Sequence, residues 1–556
     1  MTDLAANAIA EAAVDAVNAG IGLVGVRPRQ AATALAAALA KSPGLLSRGG
    51  ALAGELARVA AGRSAAPPAT GDRRFADPAW SEHPLYRRLA QAYLALEATV
   101  TDAVEQSDVD WRTLGRARFA AGILVSAAAP TNTLPGNPAA LKRAFDTGGR
   151  SLVRGARNLL GDIAGNRGMP RQVDTRPFRL GVNLGATPGQ VVFRNEVVEI
   201  IQYTPTTPMV RAVPMLLVWS LINRFYILDL APGRSFVEYA VGQGIPVFVT
   251  SWRNPTKAQA HWDLDTYAQA LLEAMDAVRE ISGSEQIGTV GFCAGGQLLA
   301  ATLSGLAARG EDRIAYACFA VSQFDMSVPN VAGIALHPAL TGAARAATMA
   351  GGVVDGRDIA AVFSWLRPND LVWSYWVNNY LMGADPPAFD ILAWNADTTR
   401  VAGAAQRDLI EIAEHDLLVE PGGLTVLGTP VELSKVTLDT YVVGAETDHL
   451  VPWHGAYRTT GLLGGRPTFV LSGGGHIQHL VNPPGNPKAR YRTGPAPGPD
   501  PREWLAEATA HEGTWWHHWA DWVSERSGEW RMVRSAPGSP THPPIEPAPG
   551  RYVREK

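Results

Sequence analysis

Two cysteines occur in this chain of 556 residues, and one of them, Cys293, stands in the run Gly291-Phe-Cys-Ala-Gly-Gly296. A thiol flanked as G-x-C-x-G has the shape of a nucleophile elbow, with sulfur where serine is common. The chemistry that fits it is attack on an activated carbonyl. That attack needs a base to take the thiol proton and a group to orient the base. Candidates lie downstream: Asp448 in Ala445-Glu-Thr-Asp-His449, and His476 at the end of Ser472-Gly-Gly-Gly-His476. Glu446 competes with Asp448, and His449 and His479 compete with His476. His479 lies in an apolar stretch and reads as a packed histidine. The oxyanion formed on attack needs two donors. One is expected to be the backbone N–H of Ala294, the other a group near Ile222 and Asn223, just beyond the apolar run Met215–Val218. A thiolate exchanges readily with thioesters, so cysteine here suits acyl transfer from a thioester.

These residues must be positioned by strands and helices. Residues 286–290 read as a short buried strand and 297–308 as a helix, the context an elbow requires. Its glycines let strand and helix approach closely, and the helix N-terminus facing the sulfur favours the thiolate. Asp448 follows a strand at Tyr441–Gly444, and His476 follows one at Thr468–Leu471. Nucleophile, acid and histidine thus fall in that order, in loops at the carboxyl ends of strands. Further strands are expected at 191–193, 197–203, 215–218 and 246–250, with a helix at 266–281. Strands alternating with helices predict an α/β fold with a parallel sheet, and the motif order makes it an α/β-hydrolase fold with an inserted cap and a helical N-terminal domain. The expected boundaries are 1–70 for an Ala-rich, weakly ordered helical leader with one or two amphipathic helices over 31–61, 71–189 for the helical domain, 190–536 for the catalytic domain with its cap at about 325–420, and 537–556 for a Pro-rich extended tail.

The net charge of −3 and the absence of basic clusters interleaved with aromatics argue against nucleic-acid binding. Two cysteines make no disulfide framework and suit a reducing cytosol. The first residues lack the pattern of a signal peptide, and no apolar run has transmembrane length. Trp515-Trp-His-His-Trp519 reads as an aromatic packing helix and not as a metal site, because adjacent histidines point to different faces of a helix. No metal is expected, and neither a P-loop nor a Rossmann fingerprint occurs. Cys318, in the apolar run 315–320, reads as a core residue.

Several segments together carry a family resemblance: Asp72-Arg-Arg-Phe-Ala-Asp-Pro-Ala-Trp80, Asn223-Arg-Phe-Tyr-Ile-Leu-Asp-Leu230, Ser251-Trp-Arg-Asn-Pro255, the Cys293 box, Arg367-Pro-Asn-Asp-Leu-Val-Trp373, Asp448-His-Leu-Val-Pro-Trp453, and Gly475-His-Ile477 followed by Asn482-Pro-Pro484. With them the chain resembles polyhydroxyalkanoate synthases of the single-subunit type. Residues 251–259, 375–380 and 482–488 look most like the medium-chain-length class. The resemblance implies an (R)-3-hydroxyacyl-CoA substrate and a growing polyester chain held on Cys293 as a thioester, with CoA released as part of the substrate and no separate cofactor. It implies that Asp448 either orients His476 or helps deprotonate the incoming 3-hydroxyl. It further implies a homodimer at polyester granules in the cytoplasm. The alternatives are a cysteine-dependent acyl-CoA thioesterase of the same fold and a non-catalytic granule-associated protein. The chain departs from the family where a Pro pair usually precedes Ile-Asn: here Trp219-Ser220 stand in the expected oxyanion loop. Residues 326–352 match the family poorly, and the first 70 match it loosely.

Overall fold

The computed structural model describes residues 28–66, 71–330, 352–534 and 536–556. They divide into two compact units. The first 27 residues, the start of the expected leader, and residues 331–351 of the expected cap lie outside the described residues.

The first unit contains the described residues up to Thr175 together with Asp358–Leu392. It is helical, and its helices start where the sequence supplies caps. Asp110 accepts the N–H groups of Arg112 and Thr113 at the head of the helix Trp111–Ala127, and Asn137 caps Pro138–Asp146 with Pro in the first turn. Two helices, Pro28–Ala40 and Leu45–Ala60, occupy the segment expected as a weakly ordered leader. Leu35 and Ala38 of the first are buried with Val104, Ala117, Ala120 and Ala121, so this part of the leader belongs to the helical core. The segment 72–80 forms another cluster: Phe75 and Trp80 meet edge to face with ring centres 4.9 Å apart, and Arg74 pairs with Asp72 at 2.8 Å.

Residues 358–392 were expected in a cap over the catalytic domain, but they pack with the N-terminal helices. Trp365 and Val372 are buried with Ile123. The Tyr380 hydroxyl donates to the buried Asp162 carboxylate at 2.8 Å, and the Asn379 side-chain amide donates to the Arg171 carbonyl at 2.7 Å. Non-local packing of this kind leaves no periodic signature, so the sequence alone does not reveal it.

The second unit is built on an eleven-stranded sheet. Its strands are β1 (Gly189–Arg194), β2 (Val198–Tyr203), β3 (Met215–Val218), β4 (Val247–Trp252), β5 (Ile287–Phe292), β6 (Ile314–Ala320), β7 (Thr440–Ala445), β8 (Pro467–Ser472), β9 (Arg490–Thr493), β10 (Thr509–Glu512) and β11 (Glu546–Pro547). Their spatial order is β10-β9-β8-β7-β6-β5-β3-β4-β2-β1-β11. The six central strands, β8 to β4, run parallel, and the outer ones pair antiparallel. Chain order reverses between β3 and β5, which makes the carboxyl ends of these two strands the switch point where α/β sheets bind ligands. Strands β3, β5 and β7 are buried along their whole length, as expected for the middle of a covered parallel sheet.

The helix Ala294–Ala308 is buried from Leu298 to Leu306 and is apolar nearly all round, consistent with its central position. The aromatic helix Trp516–Arg526 follows Trp515. Trp515, Trp516 and Trp519 are almost wholly buried, and Phe236 lies 4.6 Å from Trp519 between ring centres. Its two histidines diverge: His517 hydrogen-bonds the Tyr239 hydroxyl and His518 the Tyr441 hydroxyl.

The expected extended tail is instead docked. Strand β11 pairs with β1 at the sheet edge, and Tyr552 and Val553 are buried. The fully buried Glu199 on β2 accepts the N–H groups of Arg551 at 3.1 Å and Tyr552 at 2.9 Å. The buried Arg224 guanidinium donates to the carbonyls of Val553 at 2.8 Å and Glu555 at 2.7 Å. Proline-rich composition suggests an extended chain, whereas two buried charges seeking partners hold this one in place.

Candidate active site

Cys293 directly follows β5 and stands at the N-cap of the helix Ala294–Ala308, with φ 51° and ψ −125°. This is a strained backbone for a residue with a Cβ. The surrounding glycines are required by close approach. A Cβ on Gly291 would lie 2.6 Å from the Gly296 Cα, and one on Gly295 would lie 2.6 Å from the carbonyl oxygens of Val218 and Trp219. Gly296 faces Ser322 with no room for a side chain. Strand, turn and helix therefore close on one another because positions 291, 295 and 296 are glycine.

Asp448 follows β7 and His476 follows the neighbouring β8, so the sheet brings them together across 28 positions of chain. Asp448 Oδ2 lies 2.7 Å from His476 Nδ1. Its other oxygen accepts the N–H groups of Leu450 at 2.8 Å and Val451 at 3.0 Å, which fixes the carboxylate plane. Cys293 is close enough to His476 for its sulfur to act on the imidazole. Burial works to raise the Asp448 carboxyl, but the His476 charge, its hydrogen bond and the two backbone N–H groups hold it below the ordinary carboxylate value. Burial opposes charging of His476; Asp448 and then Cys293 overcome it and raise the imidazole to about 10.

The competing residues are placed elsewhere. Glu446 accepts from the Arg490 guanidinium at 3.1 Å. His449 is exposed. His479 is fully buried and stacks on Trp515, and burial lowers it to about 4, so it is held neutral. Cys318 sits inside β6 at 2% exposure, where burial pushes its thiol up to about 12.

Ala294 is the first residue of its helix, and the N–H groups of a first turn have no intrahelical partner. Ile222 and Asn223 lie in the loop that follows β3, the sheet neighbour of β5, with Val218 in register with Gly291. The start of this loop is pinned from β4. The Trp219 N–H donates to Thr250 Oγ1 at 3.0 Å, and the Trp252 indole N–H donates to the Trp219 carbonyl at 2.7 Å. Trp252 belongs to the segment 251–255, but nothing in that segment marks it or Thr250 as a positioning group. Their part follows from sheet order, which puts β4 beside β3.

Residues 71–240 match the family described as poly-beta-hydroxybutyrate polymerase (PhaC) N-terminus, and residues 231–483 match the alpha/beta hydrolase fold. Over 504 residues the chain is 46% identical to poly(3-hydroxyalkanoate) polymerase 2 of Ectopseudomonas oleovorans, with 90% of each chain covered. The chain belongs to the poly(3-hydroxyalkanoate) polymerases. It is also 45% identical over 502 residues to poly(3-hydroxyalkanoate) polymerase 1 of the same organism, again covering 90% of each. To the polymerase subunit PhaC of Cupriavidus necator it is 39% identical over 510 residues, 90% of this chain and 85% of that one. As a poly(3-hydroxyalkanoate) polymerase it is an acyltransferase, and its second unit has the α/β-hydrolase fold. In this polymerase Trp252 of the segment 251–255 bonds to the start of the loop after β3, and Asn223–Leu230 continues that loop with Arg224 turned to the C-terminal residues. No helix among the described residues is long and apolar enough to cross a membrane.

Proposed function

We propose that this polymerase extends a polyester from (R)-3-hydroxyacyl-CoA, with Cys293 as the nucleophile, His476 as the base and Asp448 as its orienting carboxylate. The observation that carries the reading is the chain of contacts from Asp448 to His476 to Cys293 at a strained elbow. His476 takes the Cys293 proton, and the thiolate attacks the acyl carbonyl of the CoA thioester. The oxyanion accepts from the Ala294 N–H and from the loop at Ile222 and Asn223. Collapse breaks the bond to the CoA sulfur, which leaves with the proton held on His476, and the acyl group remains on Cys293 as a thioester. The 3-hydroxyl of a second unit then gives its proton to the base and attacks this thioester, forming the ester bond and freeing the thiol. Asp448 stabilises the imidazolium formed in each step. CoA enters as part of the substrate, so the cycle needs no further cofactor.

In this reading the growing polyester keeps the enzyme at granules in the cytoplasm, as a homodimer, with preference for medium-length side chains. The support for the side-chain preference is the resemblance of residues 251–259, 375–380 and 482–488, and for granule and homodimer the resemblance to the family as a whole. The test is CoA release from (R)-3-hydroxybutyryl-CoA and (R)-3-hydroxydecanoyl-CoA, with extraction of the product, for wild type and Cys293→Ala. Polymer made by the wild type and lost in the variant is expected, with the decanoyl substrate faster. Free 3-hydroxy acid as the only product would overturn the reading in favour of a thioesterase. Polymer made by Cys293→Ala would remove Cys293 from the mechanism.

A further inference from the structure

Directly beyond β6 the chain passes under the elbow in an uncommon conformation. Val321 has φ 44°, left-handed backbone on a β-branched residue, where such geometry is a true outlier. Strain of this kind persists only when its surroundings over-determine it, and they do so here. The Val321 N–H donates to the Val443 carbonyl of β7 at 2.8 Å. The next carbonyl, of Ser322, accepts from Thr459 Oγ1 at 3.3 Å. The Gln323 carbonyl accepts from the Gln297 side chain, on the elbow helix, at 2.9 Å.

The result of this arrangement is the placement of one hydroxyl. Ser322 is fully buried, and its Oγ donates to the Cys293 carbonyl at 3.0 Å, with a longer contact of 3.3 Å to the Ala320 carbonyl. The same Cys293 carbonyl accepts the Gly296 N–H at 3.0 Å, and the Cys293 N–H donates to Ala320 at 3.1 Å. Gly296 is the glycine whose missing side chain leaves space for Ser322 Oγ. The strained main chain of Cys293 is thus held on both sides, and among the described residues Ser322 supplies the side-chain bond to it.

We propose that Ser322 is a positioning residue for the nucleophile: its hydroxyl, seated against Gly296, holds the Cys293 carbonyl so that the thiol stays turned toward His476. This rests on the reading of Cys293 as the nucleophile. Ser322 touches neither substrate nor the reacting sulfur, so its effect passes through the backbone of Cys293. Without the hydroxyl, the elbow can relax toward ordinary dihedrals and swing the sulfur away from its base, a small displacement that costs rate and leaves binding intact.

The chain carries its own control for the test. Cys318 lies in β6, two residues before Ala320, and is buried, so its alkylation reports opening of the core, whereas alkylation of Cys293 reports the site. Ser322→Ala, Cys293→Ala and wild type are compared in the full chain. The readings are kcat and KM for CoA release from (R)-3-hydroxydecanoyl-CoA, and the rate of iodoacetamide labelling at each cysteine by mass spectrometry across pH. For Ser322→Ala, kcat is expected to fall about tenfold, the loss of one buried hydrogen bond, with KM within twofold. Cys293 labelling falls in parallel, and Cys318 stays unlabelled. Wild-type kcat and wild-type Cys293 labelling in Ser322→Ala would overturn the proposal. So would Cys318 labelling that rises in step with the loss of activity, because Ser322 would then only hold the core closed. If Cys293→Ala retains activity, the nucleophile reading fails, and that outcome is distinct from either of these.

Discussion

The indole N–H of Trp252 donates to the main-chain carbonyl of Trp219 over 2.7 Å, joining the end of β4 to the first residue of the loop beyond β3. With the bond from the Trp219 N–H to Thr250, it fixes both main-chain polar groups of Trp219, and Gly295 lies against the same carbonyl. A proline pair would stiffen this loop by covalent restriction of φ. Trp219-Ser220 lacks that restriction, and hydrogen bonds from a neighbouring strand take its place. Trp252→Phe keeps most of the ring and removes the donor. It is expected to lower kcat about five- to thirtyfold with little change in KM, consistent with about 1–2 kcal/mol for a lost buried hydrogen bond. Steady-state kinetics check this; an unchanged kcat would show that the loop keeps its geometry without Trp252.

Asp448 and Glu446 are two residues apart, yet only Asp448 meets His476. Asp448→Asn is expected to reduce kcat by roughly 10²–10⁴, because the imidazolium loses its counter-charge and its tautomer is no longer imposed. Glu446→Gln breaks only an exposed pair with Arg490 and is expected to stay within twofold of wild type. If the two variants behaved alike, the pairing would not govern turnover.

The Asp448–His476 pair also links stability to pH. His476 is raised from its ordinary 6.5 to about 10, so its contribution is complete below pH 6.5 and is lost as pH rises toward 10. Asp448 is lowered from 3.8, so its contribution is present above that value and is lost as pH falls through the depressed one. The difference in Tm between wild type and His476→Gln is therefore expected to be largest between about pH 4 and 6.5, and to shrink from there to pH 10. Thermal unfolding of both proteins over that range decides it; a gap constant with pH would show that His476 is not held charged.

The C-terminal residues satisfy two buried charges, Glu199 and Arg224. Removing residues 548–556 would leave both charges without these backbone partners, and a hydrogen bond to a charged group contributes about 1.5–3 kcal/mol. The truncated protein is expected to be less stable by several kcal/mol and prone to aggregation, measured by denaturant unfolding. Stability equal to wild type would mean that water replaces those bonds at no net cost.

In the helical unit, Gly155 packs directly on the Tyr380 carbonyl. Gly155→Ala has no space for its methyl and is expected to destabilise by about 1–3 kcal/mol, although alanine favours helices. Gly161, with only the end of the Arg171 side chain near, is the control, where the same change is expected to be neutral or stabilising. A stabilising Gly155→Ala would refute this packing. Unfolding midpoints of the two variants provide the comparison.

Much of the site could be read from the sequence because it is local. The elbow glycines, the strand before them and the helix after them are contiguous, and so are the strand-to-loop transitions that carry Asp448 and His476. Their periodicity and turn residues specify strand, turn and helix without reference to the rest of the molecule. Cys318 and the aromatic helix at 515–519 also show their burial in their own composition. Chain order, loop placement and the family resemblance favour Asp448 and His476 over Glu446, His449 and His479; the tertiary structure adds the contact of Asp448 with His476 across β7 and β8. The positioning parts of Thr250, Trp252 and Ser322 also come from the tertiary structure, because they act through neighbouring strands. Three boundaries were likewise decided by packing. Leu35 and Ala38 are buried among later helices, 358–392 join the N-terminal helices, and the tail is held by two buried charges. Short-range patterning determines which element forms, whereas its partner is set by burial and by the pairing of buried polar groups, both of which depend on chain far away in sequence.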